Sequence, residues 1–305
     1  MNQRTLNRSL WISFFILPGL LIVIVFIVTP LFLSMFNSMF AWQGIARREY
    51  VGFENFVKIF SRYPYKDRFL NAFGHNVQWF VTTMVVQNSI GLLFGYLIYK
   101  RIAGAELYQR VFFIPVLFSI VAVGFLWGLY LNPNLGIINH LLHDIGLHSW
   151  ARSWLGDEKL ATPSIIAVNM WRWVGFPTLV FYAGYNTVPQ DAVEAAYLDG
   201  VGEWTLFWKI MVPLIVPAIT IITVLTLIGS LNVFEQVYTM AGLEGGPYFS
   251  TDTLSTLFYR TAFGAVDSGI PEVGIGSAIG VVIYVLTFGA SAVSVLGLRS
   301  REVEL

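Results

Sequence analysis

Cysteine is absent from this chain of 305 residues. That excludes disulfides, thiolate metal centres and cysteine nucleophiles within it, and leaves the compartment open. Charge is scarce as well: 12% of residues carry it, against roughly 25% in an ordinary soluble domain. The 18 basic and 18 acidic residues balance, with no basic tail or cationic block to offer nucleic acid a surface. No GxxxxGK[ST] loop is present, so the sequence has no cradle for a nucleotide phosphate. Spacing yields no Ser/His/Asp set, no internal repeat and no low-complexity tract. Of His75, His140, His143 and His148, the pair at 140 and 143 has a spacing that suits a metal. Solvated loop histidines are the ordinary reading of such a pair.

Apolar sequence is what the chain has in excess. Hydrophobic residues make up 56%, and the mean hydropathy is +0.67. A bilayer core of about 30 Å is crossed by a helix rising about 1.5 Å per residue, so runs near 20 residues matter. Such runs lie at about 11–30 (continuing past Pro30), 75–99, 111–130, 164–185, 214–238 and 272–298. The expected fold is an all-α membrane protein of six spans, one domain over 1–305. The basic start with Arg4 and Arg8 resembles a signal peptide. The apolar run exceeds a normal h-region, however, and no small-x-small site follows, so it reads as an uncleaved first span. Between spans one and two, 41–74 is polar and aromatic. Within it Phe53, Phe56, Val57 and Phe60 have helical spacing, which fits a membrane-surface helix or a partner contact equally well. Residues 132–163 and 239–271 read as loops, the latter with Gly245, Gly246 and Pro247. Span six is rich in glycine and alanine, which suits close helix packing.

Six spans put both termini on one side. With the termini inside, the inner segments carry Arg4, Arg8, Lys100, Arg101, Arg110, Lys209, Arg299 and Arg301. The outer segments carry Arg47, Arg48, Lys58, Arg62, Lys66, Arg68, Arg152, Lys159 and Arg260. The totals nearly cancel, but the tight clusters at 4/8, 100/101/110 and 299/301 flank one face. That face is assigned to the cytoplasm.

Between spans four and five, 189–213 interrupts the membrane pattern. Pro189 suits a first helical turn, and Asp191 and Glu194 suit a helix N-terminus. Ala192, Ala195 and Ala196 give a low face that another protein can approach closely. Asp199 and Gly200 stop the helix. A second short helix follows from about 203 to 211, with Trp204, Phe207 and Trp208 at the lipid interface. Pro213 and Pro217 permit a bend into span five. On physics alone, this helix–turn–helix is as consistent with an ordinary interfacial loop as with a docking finger.

The residues then match a known pattern. Glu194-Ala195-Ala196, Gly200, Ile210, Val212 and Pro213 resemble the EAA motif of permease subunits of ABC importers, with valine where leucine is usual at 212. VGFENF at 51–56 resembles the VGLxNF stretch of the sugar-importer branch. Arg110 with Pro115, Trp127, Gly136 with Asn139, and Trp171 with Gly175-Phe176 resemble other landmarks of that branch. So does Gly245-Gly246-Pro247, with Leu243 in place of the usual threonine. The landmarks span roughly 50–297 and resemble the MalF-like, binding-protein-dependent type in its shorter, six-span form. The resemblance implies that Glu194, Ala195, Ala196, Asp199, Gly200, Ile210 and Pro213 couple to an ATPase, in a cytoplasmic finger. It also implies a second, MalG-like permease, two ATP-binding cassette subunits and an extracytoplasmic solute-binding protein. ATP and magnesium would be bound by those partner ATPases, with no catalysis, cofactor or metal in this chain, in a bacterial or archaeal cytoplasmic membrane. Oligosaccharide or polyol import is the expected function. A glycerol phosphate or other non-sugar permease would keep every motif. A secondary transporter would need no such finger, and inverted repeats would favour it. An embedded enzyme would need clustered catalytic groups.

Polar residues inside spans are costly in hydrocarbon and belong in the bundle interior or along a pathway. Gln87, Asn88, Asn169, Asn232 and Glu235, with the aromatic Trp171, Tyr182 and Tyr238, are the candidates for a sugar pathway. Interhelical glue is the competing role. At about 1.5 Å per residue, Glu235 falls near the outer end of span five and Arg172 roughly 13 Å deep, so their pairing is left open.

Overall fold

Apolar helices dominate the computed structural model, which describes residues 3–264 and 270–299, with side chains from 11 to 298. Arg301 lies outside the described residues, as do the side chains of Arg4, Arg8 and Arg299. Helix α1 (3–37) passes through a π-turn at Ile24–Val28, where Thr29 Oγ1 donates to Ile24 O at 2.9 Å. That bond serves a carbonyl displaced by the wider turn, as backbone in hydrocarbon requires. The span Trp11–Asn37 has none of its apolar window buried against the rest of the chain.

A two-stranded antiparallel hairpin follows, β1 (Phe40–Gln43) and β2 (Ala46–Tyr50), so the fold is not purely α. Phe40 faces Tyr50 across it, with ring centroids 5.5 Å apart. Helix α2 (Glu54–Ser61) buries Asn55 and Ile59. The Asn55 amide donates to Ser38 O and Phe40 O at 2.8 and 2.9 Å, fastening α2 to the hairpin. Phe53, Val57 and Phe60 remain exposed on the opposite face.

Helix α3 (Tyr65–Tyr99) starts well before the expected His75. Part of the stretch that read as loop is tied into the fold instead: Tyr65 Oη donates to Glu272 Oε1 at 2.6 Å, and the Asn71 amide donates to Phe249 O at 2.7 Å. Asn76, just inside the expected span, is fully buried. Helices α4 (Ala105–Leu117) and α5 (Ile120–Tyr130) meet at 97°, so the expected straight span over 111–130 is broken. The break follows Pro115, which opens a tight 3-10 turn and cannot supply an amide to the ladder. A short helix, α6 (Ile137–Asp144), lies in the expected 132–163 loop.

The fourth expected span is α7 (Ala161–Trp173) and α8 (Gly175–Tyr185), jointed at Val174. Helix α8 packs closely along α3. A side chain at Gly95 would place its Cβ 3.0 Å from Thr178 O and Tyr182 N, so this contact needs glycine. Then come α9 (Gln190–Leu198), α10 (Glu203–Leu214) and α11 (Val216–Leu231), with a 72° bend between the last two. The expected fifth span ends at Leu231. Residues 232–234 leave the helix, and α12 (Glu235–Ala241) starts anew.

The expected 239–271 loop contains α13 (Leu254–Phe263), capped by reciprocal bonds between Thr253 and Thr256. Arg260 and Asp252 form a buried ion pair there, at 2.5 Å. Finally α14 (Val273–Arg299) packs against α13, α11 and the end of α1. Among the described residues, three helices are long and apolar enough to cross a membrane, and the two bent pairs bring the candidates to five. The expected span missing from these candidates is the fourth, α7 with α8, where Asn169 and Arg172 dilute the apolar run.

Candidate functional site

The finger is built by its turn. Helix α9 stops at Asp199, and Gly200 takes φ +76°, a left-handed value that strains other residues. Helix α10 then returns beneath α9. Val193, Ala196, Leu206, Phe207 and Met211 are buried in one cluster with Tyr96, Phe181 and Tyr185. The apolar side of the finger is thus spent on α3 and α8. Glu194, Ala195, Asp199, Gly200 and Pro213 stay exposed, and Ile210 is half-buried. Leu198, beside the turn, is 90% exposed. The bend into α11 falls at Ile215, between Pro213 and Pro217.

A polar clasp holds the finger to the end of α3. Lys100 Nζ donates to Glu203 Oε1 at 2.9 Å and also to Tyr197 Oη. Tyr197 Oη donates to Glu203 Oε1 at 2.7 Å, and Tyr96 Oη to Glu203 Oε2 at 2.9 Å. Burial opposes the Lys100 charge, but bonding to Tyr197 and Glu203 carries its pKa above the ordinary lysine value. Sequence reasoning missed this clasp. Lys100 stood out only as a flanking cation, because no local pattern links it to a carboxylate far along the chain.

The polar pathway candidates do not share one site. A cavity of about 400 Å³ lies between α3, α7 and α11, lined in part by Trp79, Gln87, Asn169, Arg172, Thr226 and Ser230. Gln87 Oε1 is buried there without a hydrogen-bond partner. Asn88 sits behind the wall and donates to Thr226 Oγ1 at 2.9 Å, a bond between α3 and α11. Trp171 faces away, edge-on to Trp127 with centroids 5.4 Å apart. Tyr182 is half-buried with its backbone against Gly95. Asn232 borders a second cavity, of about 370 Å³, and Glu235 and Tyr238 are exposed.

Among the described residues no ion pair joins Arg172 to Glu235. Arg172 Nε instead donates to Phe118 O at 3.2 Å, serving a carbonyl at the α4/α5 break. The histidines that meet are not the pair at 140 and 143. His143 Nδ1 lies 2.6 Å from His148 Nδ1, because the chain turns back after α6.

At the far end of α11 the 243–256 loop is knotted by buried polar groups. Asn76 donates to Ser230 O at 2.6 Å and accepts from Leu254 N at 2.8 Å. Thr253 Oγ1 donates to Val233 O at 2.7 Å, at the break between α11 and α12. Arg260 reaches Leu243 O at 2.7 Å besides its carboxylate partner.

Long apolar helices, a cavity between three of them and an exposed helical finger fit a membrane transport component. Residues 87–304 match the family described as binding-protein-dependent transport system inner membrane component, and the chain belongs to that family. The "Probable ABC transporter permease protein YurN" of Bacillus subtilis is 31% identical over 93% of this chain and 95% of its own length. The "Trehalose/maltose transport system permease protein MalF" of Thermococcus litoralis is 29% identical over 91% of this chain and 90% of its own. Among solved structures, a bacterial ABC transporter involved in the import of the acidic polysaccharide alginate matches with a TM-score of 0.81. At 22% identity over 98% of each chain, that match speaks for the fold.

Proposed function

We propose that this chain is the permease subunit of an ATP-driven importer that moves an oligosaccharide or related polyol across the cytoplasmic membrane. The observation that carries the reading is the finger. It uses its apolar side internally, leaves Glu194, Ala195, Asp199, Gly200 and Leu198 bare, and belongs to a chain without a phosphate-binding loop. Such a surface suits a soluble motor that binds from outside. Two ATP-binding cassette subunits would bind ATP and magnesium, one against this finger and one against that of a second, MalG-like permease. An extracytoplasmic binding protein would deliver the solute. The finger and both termini would then face the cytoplasm, with six spans counting α7 and α8 as one. The names of relatives such as the trehalose/maltose permease support a carbohydrate. So does the first cavity, where the free Gln87 oxygen, Asn169 and Arg172 offer hydrogen bonds beside Trp79. Its size falls within the usual range for small-molecule sites.

Closure of the ATPases on ATP would swing the finger as a rigid body. The 72° bend at Ile215 would pass that motion into α11, whose Thr226 and Ser230 face the cavity. The test is assembly and coupling. The chain should copurify with its ATPases, and Gly200→Pro or Glu194→Lys should remove stimulation of ATP hydrolysis by loaded binding protein. Transport by the isolated chain without ATP, or unchanged stimulation in both variants, would sink the reading. Screening the binding protein against sugars then identifies the solute.

A further inference from the structure

Four aromatic rings run without a gap along the flank of the α11/α12 break. Tyr238 stacks on Phe234, with centroids 5.5 Å apart and planes within 8°. Phe234 meets Tyr259 at 5.3 Å, and Tyr259 meets Phe263 at 4.8 Å. Tyr238, Tyr259 and Phe263 are exposed by 48%, 39% and 62%, so the run is a surface and not a core. Phe234 and Tyr259 also line the second cavity, together with the polar Asn232 and Ser255. Exposed rings by themselves also fit a lipid-facing aromatic belt. Two features argue against lipid here. Glu235 is exposed beside the rings, and a bare carboxylate against hydrocarbon is costly, whereas the exposed Asn232 donates to Ile228 O at 2.8 Å. Residues 232–234 are non-helical, and such backbone is tolerated at depth only against protein or water.

The geometry points to this aromatic run as a carbohydrate guide on the translocation path. Apolar faces of sugar rings pass over Tyr238, Phe234, Tyr259 and Phe263, while Asn232, Glu235 and Ser255 bond hydroxyls at the edge. The guide leads to the first cavity, because Val233 lines that cavity while its neighbour Phe234 lines the second. This rests on the carbohydrate reading and sharpens it. A solute of several sugar rings touches more of the guide than a disaccharide does, so chain length becomes a specificity determinant of this subunit.

The absence of native cysteine makes a direct test available. In the intact complex, Tyr259→Cys and Phe263→Cys should each react with a charged, membrane-impermeant methanethiosulfonate. Phe14→Cys, on the bare face of α1, serves as the non-aqueous control and should not react. Failure of both guide positions to react, or their quantitative cross-linking to the second permease, overturns the proposal. The second arm measures uptake of maltose through maltohexaose, and of chitin oligomers, by proteoliposomes carrying the complex. Tyr259→Leu should slow the longest transported sugar by about 3- to 10-fold, the range for losing one aromatic contact, and the shortest by much less. Tyr259→Phe should behave as the parent. Equal rates at every length in Tyr259→Leu would overturn the guide. If the parent complex moves none of these sugars, the carbohydrate reading fails, and the thiol reaction still decides whether the rings line an aqueous path.

Discussion

At one end of α11 the finger rests on buried rings and leaves its tip bare. At the other end the 243–256 loop is sewn down by buried polar groups. The finger's clasp of Lys100 with Glu203 is partly open to solvent, with side chains 29% and 58% exposed. The knot's pair of Arg260 with Asp252 is closed, at 4% and 0%. The difference separates two tasks. Apolar packing holds a rigid body without prescribing what touches its other face, so the finger keeps a surface for a partner. A buried polar network has defined geometry, and this one fixes where α11 ends and where α13 and α14 begin, leaving Arg260 Nε and Ser250 Oγ buried without a partner. The finger and the knot thus bracket α11, which lines the first cavity and ends one residue before Asn232 at the second.

The largest expected effect tests the knot. Arg260→Ala strands the Asp252 carboxylate in the interior, and breaking a buried pair costs about 3–5 kcal/mol. Denaturant or thermal unfolding of the detergent-solubilised protein should show that loss, and replacing Asp252 and Arg260 together by leucine should recover much of it. A loss below about 1 kcal/mol for Arg260→Ala would mean that the pair is solvated and the contrast with the finger is false.

A middling effect is expected at the turn. Open space surrounds Gly200, so only its left-handed backbone opposes a side chain. Gly200→Ala should cost about 1–2 kcal/mol, with ATPase coupling reduced and membrane abundance kept. Stability equal to the parent would show that the turn relaxes freely. The smallest effect belongs to the clasp. Lys100→Met should cost about 1 kcal/mol or less, as exposed pairs do, and still less in high salt. A loss as large as that of Arg260→Ala would erase the distinction between the two ends.

The finger was legible because its signals are local: Pro189 at the start, Asp199 and Gly200 at the stop, and prolines before α11. Its low alanine face was not: Ala195 is exposed, but Ala196, read with it as open to a partner, is buried in the finger's own cluster. The pathway was less legible. Gln87, Asn88 and Asn169 were all recognisable as polar residues inside apolar runs. Periodicity could not tell that Gln87 and Asn169 border a cavity while Asn88 bonds to Thr226. That choice depends on how α11 is rotated against α3. Asn71 looked like loop, and His75 and Asn76 like the bare start of a span, for a related reason. Their polarity is spent on loop carbonyls and amides brought from far along the chain, and local composition reads any polar cluster as solvent-facing.

By itself the sequence determined a membrane protein of apolar helices, the helix–turn–helix at 189–213 and, through the spacing of its motifs, its membership in a transport family. These depend on composition and short spacing, which survive without any knowledge of neighbours. Tertiary structure alone decided the right-angled break after Pro115, the hairpin at 40–50, the buried pair of Asp252 with Arg260, and the aromatic run beside Asn232. Each depends on groups distant in sequence meeting in a low-dielectric interior, where an unpaired polar group is expensive and its partner is set by packing.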